Sequence, residues 1–237
     1  MKTNLNVQKL AVRAVLFDLD ETLIPEDEPL ALAYRAVVTG DVEEFRAGLR
    51  ARWQSEAPCP EYRGRVQVSA SDGLIAEFAG DGDELAAIRE YLPRFRAEAF
   101  GDGLLERWQR VRVESQTAYP HAAAVLERLR GHVRLALVTN GASDLQRRKL
   151  AIAGLEEYFD VVVASCDLGI GKPDPAIFEA ALDALGVGAS EAVMVGNDRE
   201  RDIEGAAAAG VRSLWIQHGG STGDLNDLSA LPELLGF

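Results

Sequence analysis

The sequence predicts an α/β protein built on a parallel sheet with helices on both faces, and three observations carry that expectation. Short apolar runs recur along the chain, each too brief for a helix and each ending in polar residues, as buried strands do. Helical patterns lie between them, and each ends at a glycine that can take a left-handed terminating conformation. The spacing of the two patterns is that of strand, helix and strand units. With 237 residues, 47% of them hydrophobic, the chain can bury a sizeable core.

The first run is Ala14-Val15-Leu16-Phe17, leading directly into Asp18-Leu19-Asp20-Glu21-Thr22. The rhythm then breaks. From Pro25 to Ser115 the chain carries charged helical stretches, Pro29 to Arg52, Leu85 to Arg96 and Glu98 to Val113, with weak strand signals only around Arg65 to Val68. This interval reads as a mainly helical insertion held by two crossings near residues 25 and 115. Alternation then resumes. A helix is expected over His121 to Arg130, a strand over Arg134 to Val138, and a helix over Asp144 to Ala153. The strand Val161 to Ala164 and the helix Pro175 to Leu185 follow. Last come the strand Ala192 to Val195, the helix Ile203 to Ala209 and a fifth strand, Arg212 to Ile216.

Charge and cysteine usage narrow the classes of function. A formal net charge of -13 argues against nucleic acid or an anionic membrane surface as a partner, because both require clustered basic charge. The two cysteines, Cys59 and Cys166, form neither a disulfide framework nor a CxxC pair, so a reducing cytoplasm is the expected location. Polar residues interrupt Met1 to Leu10 where a signal peptide would be apolar, and no apolar run approaches the ~20 residues of a membrane span. A soluble, unexported protein is expected.

Four segments carry chemistry. Asp18-x-Asp20-x-Thr22 sets two carboxylates at a strand end, where they can bind a divalent cation and divide nucleophilic and acid/base work. Thr139-Asn140-Gly141 also follows a strand and precedes a helix, offering N–H groups and a hydroxyl to an anion. Gly171-Lys172-Pro173 places one of only four lysines on a rigid loop, without the pattern of a P-loop. Gly196-Asn197-Asp198, with Asp202 beyond it, brings an amide and acids to a fourth strand end.

In this order the four segments resemble the haloacid dehalogenase superfamily. The resemblance covers roughly residues 1–24 and 116–237 and implies a Rossmann-like catalytic core with its first strand central. Residues 25–115 resemble that superfamily's helical C1-type cap in position and length. By resemblance Asp18 is the nucleophile that forms an aspartyl-phosphate, and Asp20 is the general acid and then the base. Thr139, Asn140, Gly141 and Lys172 hold the phosphoryl group, with Thr139 and Lys172 counted among the catalytic residues. Mg²⁺ is the implied cofactor, held by Asp18, the Asp20 carbonyl, and Asn197 or Asp198, and Asp202 pairs with Lys172. The superfamily usually has Gly-Asp where this chain has Gly196-Asn197, so an amide stands where a carboxylate ligand is expected.

The implied activity is Mg²⁺-dependent hydrolysis of a small phosphorylated metabolite. Competing readings are a haloacid dehalogenase, a sugar-phosphate mutase, and a non-catalytic protein that binds phosphate or a partner on the same fold. A departing halide needs no proton, so the acid at position 20 favours phosphoryl transfer. The lack of lysine between residues 25 and 115 weighs against a mutase and against phosphonate hydrolysis. Oligomeric state is not written in the sequence. Gly219-Gly220-Ser221-Thr222-Gly223 matches a serine-hydrolase pattern, but no histidine follows Ser221, and a glycine-rich loop is expected there.

Overall fold

The computed structural model describes residues 12–37, 110–141 and 143–237. Five strands form one parallel sheet in the order β3-β2-β1-β4-β5. They are β1 (Ala14–Phe17), β2 (Arg134–Thr139), β3 (Val161–Ala164), β4 (Ala192–Gly196) and β5 (Arg212–Trp215). All five strands expected outside the insertion are present, within a residue of their expected bounds.

Side chains of β1 alternate between two separate cores. Val15 and Phe17 enter one face, packed against Leu126, Leu129 and Leu150, whereas Ala14 and Leu16 enter the other, against Ile177, Phe178 and Ala206. The helices fall accordingly. On the first face lie α2 (Ala122–Arg130), α3 (Ser143–Ile152) and the C-terminal Leu231–Leu235 helix, and on the second α5 (Pro175–Leu185), which follows the short α4 (Ser165–Leu168), and α6 (Gly205–Ala208). Helices on both faces explain why the strands read as continuous apolar runs.

Two local details differ from expectation. The glycines after α3 and α5, Gly154 and Gly186, are left-handed, but Gly131 after α2 has φ −74° and terminates its helix in ordinary helical geometry. The last expected helix is not uniform: Arg199–Glu204 forms a wide π-type turn before α6. Asp198 caps that turn by accepting from the Arg201 N–H at 2.9 Å, which starts the helical segment earlier than the apolar pattern suggests.

Of the expected insertion, α1 (Asp27–Val37) and helical residues 110–114 are described. The expected strand at 65–68, the helix at 85–96, most of the stretch 98–113, and Cys59 lie outside the described residues. No helix among the described residues is long and apolar enough to cross a membrane.

Candidate active site

The chain runs from β1 to β2 and β3 on one side of the sheet and later to β4 and β5 on the other, so the order reverses beside β1. Such a reversal opens a crevice at the carboxyl ends of the strands. All four sequence segments end there. Asp18 continues from β1, its N–H donating to the Val195 carbonyl at 3.0 Å, which places it between the ends of β1 and β4.

Lys172 occupies the centre. Its Nζ donates to Asp18 Oδ1 at 2.6 Å and to Asp202 Oδ1 at 2.7 Å, so the pairing with Asp202 expected from the sequence is present. The Asn140 side chain fixes the lysine's backbone from both sides: Oδ1 accepts from the Lys172 N–H at 2.8 Å and Nδ2 donates to its carbonyl at 2.9 Å. One ammonium thus serves two buried carboxylates. Burial pushes Asp18 up to about 7, with Lys172 opposing the shift and Asp202 adding to it. Burial also works against the Lys172 charge, but Asp18 and Asp202 outweigh it and its pKa is raised.

The other oxygen of Asp18 faces a different group. Thr22 Oγ1 lies 3.3 Å from Asp18 Oδ2 and 3.3 Å from Asn197 Oδ1, so the two oxygens share one hydroxyl. Trp215 Nε1 holds the Asn197 carbonyl at 2.8 Å, with the Arg199 guanidinium 4.7 Å above its ring. Asp198, the alternative to Asn197 in the sequence, is directed elsewhere, since its carboxylate caps the turn and faces the Arg201 guanidinium at 3.4 Å.

No group of three or more His, Cys, Asp or Glu among the described residues is placed to hold a metal ion. The donors within reach of one another are one carboxylate oxygen of Asp18 and the amide oxygen of Asn197. Both are hard oxygens, which suits Mg²⁺, an ion that keeps several waters and takes few protein ligands.

Thr139, Asn140 and Gly141 meet the expected position at the crevice, with one correction. The Gly141 N–H is not available to an anion, because it donates to Ser165 Oγ at 2.8 Å. The Thr139 hydroxyl accepts from Gln146 Nε2 at 2.7 Å, which occupies an acceptor site and leaves its proton only a long 3.4 Å contact to the Asn140 carbonyl.

Asp20 is held by two residues that sequence reasoning passed over. Gln146 Nε2 donates to Asp20 Oδ2 at 3.1 Å and Lys149 Nζ to Asp20 Oδ1 at 3.0 Å. Burial alone would raise Asp20, but Lys149 first, then Arg112 and Gln146, hold it down to about 2. The available signal was the scarcity of lysine, together with the three-residue spacing that puts Gln146 and Lys149 on one face of α3.

Close approach makes Gly196 indispensable. A Cβ there would lie 2.3 Å from Asp202 Oδ2, so Gly196→Ala must drive Asp202 away from Lys172. The expected loss is about 1–3 kcal/mol of stability, read as a lower urea midpoint at unchanged slope. A midpoint equal to that of the parent would show that Asp202 relocates freely.

A doubly wound parallel sheet whose central strand delivers a lysine-paired aspartate to its switch point defines an α/β enzyme with a strand-end crevice. A haloacid dehalogenase-like hydrolase family model matches residues 12–210. The chain is 38% identical to the phosphoserine phosphatase of Thermus thermophilus, over 88% of this chain and 90% of that protein. Its fold is that of the HAD-hydrolase YfnB from Bacillus subtilis, solved bound to magnesium (TM-score 0.73, 22% identity, 96% and 100% of the two chains). A 2-haloacid dehalogenase from Pseudomonas syringae pv. Tomato is also similar (TM-score 0.63, 29% identity, 94% and 98%). The chain belongs to the haloacid dehalogenase-like hydrolases. Enzymes of this family generally use Mg²⁺.

Proposed function

We propose that this chain is a Mg²⁺-dependent phosphatase that hydrolyses a small phosphomonoester through an aspartyl-phosphate on Asp18, with residues 25–115 as a cap over a core of residues 1–24 and 116–237. The observation that carries this reading is the Asp18 carboxylate at the end of the central strand, with one oxygen on Lys172 at 2.6 Å and the other turned toward Thr22 and Asn197.

In the first step an Asp18 oxygen attacks phosphorus and the bond from phosphorus to the leaving oxygen breaks. The departing alkoxide takes a proton from Asp20. Water then attacks the phosphorus of the aspartyl-phosphate and passes its proton to Asp20, which frees inorganic phosphate and regenerates the Asp18 carboxylate. Asp20 is ionised at rest, so it takes up its proton as the anionic substrate arrives, whose charge raises its proton affinity. Lys172 and the Thr139 hydroxyl face the charge on the transferring oxygens. Asn140 acts by fixing Lys172.

Asp18, the Asp20 carbonyl and Asn197 would hold Mg²⁺, which supplies charge neutralisation between an anionic nucleophile and an anionic phosphate. Replacing Asn197 with Ala is expected to raise the Mg²⁺ concentration for half-maximal rate about tenfold or more, whereas Asp198→Ala shifts it less than about twofold. Titrating activity against Mg²⁺ for both variants decides between them, and the opposite ranking would assign the ligand to Asp198.

The similar phosphoserine phosphatase puts small phosphorylated amino acids first in a substrate panel. Likeness to a dehalogenase gives the second reading its support. Against it stands Asp20, held by Gln146 and Lys149, which halide departure would leave without a task. Release of phosphate from p-nitrophenyl phosphate and release of chloride from 2-chloropropionate, each with and without Mg²⁺, separate the two. Chloride without phosphate would establish the dehalogenase.

A further inference from the structure

Lys149 belongs to a buried network that the proposed reaction does not by itself require. Its ammonium, on a residue 1% exposed, lies 3.0 Å from Asp20 Oδ1 and 3.0 Å from Glu26 Oε2. Glu26 is held in turn by the Arg112 Nε on its Oε1 and by Gln116 Nε2 on its Oε2 at 2.9 Å. Glu26 stands where the chain leaves toward residue 38, and Arg112 and Gln116 stand where it returns. Two carboxylates and two cations therefore join the strand-end Asp20 to both crossings, through one lysine of α3.

The exposure of the members is graded. The side chain of Lys149 is 1% exposed, that of Glu26 13% and that of Asp20 25%. The network is closed on the crossing side and open at Asp20, the end that faces the crevice. Gln146 reinforces that end, since its Nε2 holds the second Asp20 oxygen at 3.1 Å while also contacting Thr139 Oγ1 at 2.7 Å and the Asn140 carbonyl at 3.1 Å. Both Asp20 oxygens are thus fixed from one helix face. A buried ion pair seldom adds net stability over apolar packing of the same volume, so its retention is better explained by the geometry it imposes.

We propose that Lys149 is a positioning residue, which sets the Asp20 carboxylate for proton transfer and ties it to the two chain crossings through Glu26. The inference rests on the phosphatase reading above. It differs from a purely structural role in where the damage falls. Forming the aspartyl-phosphate from p-nitrophenyl phosphate needs little help from an acid, because the leaving phenolate is stable, whereas hydrolysing the intermediate needs a placed base in every case.

Rapid mixing of the enzyme with p-nitrophenyl phosphate and Mg²⁺ resolves the two steps as a burst and a steady rate. For Lys149→Met the burst rate is expected within about threefold of the parent, while the steady rate falls about 10²-fold, the size of a general-base contribution. Lys149→Arg, which restores a cation, is expected to recover part of the steady rate. Should Lys149→Met not fold, Glu26→Gln gives the answer: it keeps the ammonium but removes the charge on the crossing side, and a steady rate lowered about threefold to tenfold with an intact burst is expected. Parallel loss of burst and steady rate, or no loss in either, overturns the positioning role. A parent enzyme that releases no p-nitrophenolate overturns the phosphatase reading, and the inference with it.

Discussion

Replacing Asp18 with asparagine is expected to abolish turnover and at the same time to stabilise the protein at neutral pH. With the proposed nucleophile gone, kcat for any phosphomonoester should fall by at least about 10⁴-fold. Stabilisation follows from the charge count around Lys172. One ammonium serves two buried carboxylates, and burial, supplemented by Asp202, raises Asp18 to about 7. A carboxyl whose folded pKa lies above its unfolded value favours the native state fully at low pH, and that contribution is lost as pH rises through the folded value. Asparagine keeps an acceptor for Lys172 without the charge. The gain is about 1 kcal/mol, or ~2–4 °C in Tm for a protein of this size, measured at pH 7.5 in chelator. It should vanish near pH 4, where Asp18 is protonated in the parent. Lower melting of the variant at pH 7.5 would contradict the charge count, and residual turnover above about one part in a thousand would remove Asp18 as nucleophile.

Lys172→Met is expected to have the opposite effect on stability and the same effect on rate. Removing the ammonium leaves Asp18 and Asp202 buried beside each other without a cation, a situation that costs about 3–5 kcal/mol. The Lys172 pKa is raised, so its stabilising contribution is complete at every pH below its unfolded value and is lost only in strong alkali. In the variant Asp18 loses the charge that opposed its rise, and the penalty of the buried carboxylate pair grows as pH climbs from acid toward neutrality. The difference in Tm between parent and variant should therefore be larger at pH 8 than at pH 5. Differential scanning calorimetry at the two values measures it, and a deficit independent of pH would mean that the lost packing of the lysine stem, rather than its charge, accounts for the change.

Combined, the two variants separate what Lys172 does for folding from what Asp18 does for chemistry. The Asp18→Asn, Lys172→Met double variant retains a single uncompensated carboxylate, Asp202. It should recover part of the stability lost in Lys172→Met, since the pair is in contact and its effects are not additive.

The sheet and its central strand were legible because strands buried on both faces leave continuous apolar runs, and Ala14–Phe17 is buried at every position. Three of the four site segments, at Asp18, Thr139 and Asn197, were legible for a related reason, whereas Lys172 stands on a loop beyond α4. A parallel sheet collects all its strand ends at one edge, so polar residues placed directly after apolar runs must meet there. The pairing of Lys172 with Asp202 was implied by the family resemblance, and the structure shows it at 2.7 Å. What stayed hidden was the occupancy of individual atoms. Nothing in Thr139-Asn140-Gly141 shows that the Gly141 N–H is taken by Ser165, a residue 24 positions away on another element. Nor does Asp198 reveal in sequence that its carboxylate is spent on a helix start while the neighbouring amide turns toward Thr22.

The sequence by itself determined the sheet, the order of its elements and the family, because hydrophobic periodicity and strand-end motifs are local properties of the chain. Only the tertiary structure decided which atoms are engaged. Lys149 read as one scarce lysine on a charged helix, yet it lies buried between Asp20 and Glu26, 129 and 123 residues away. The charge state of Asp20 depends on that placement, because long-range ion pairs in a desolvated site follow from distance and burial, neither of which is written in any local pattern.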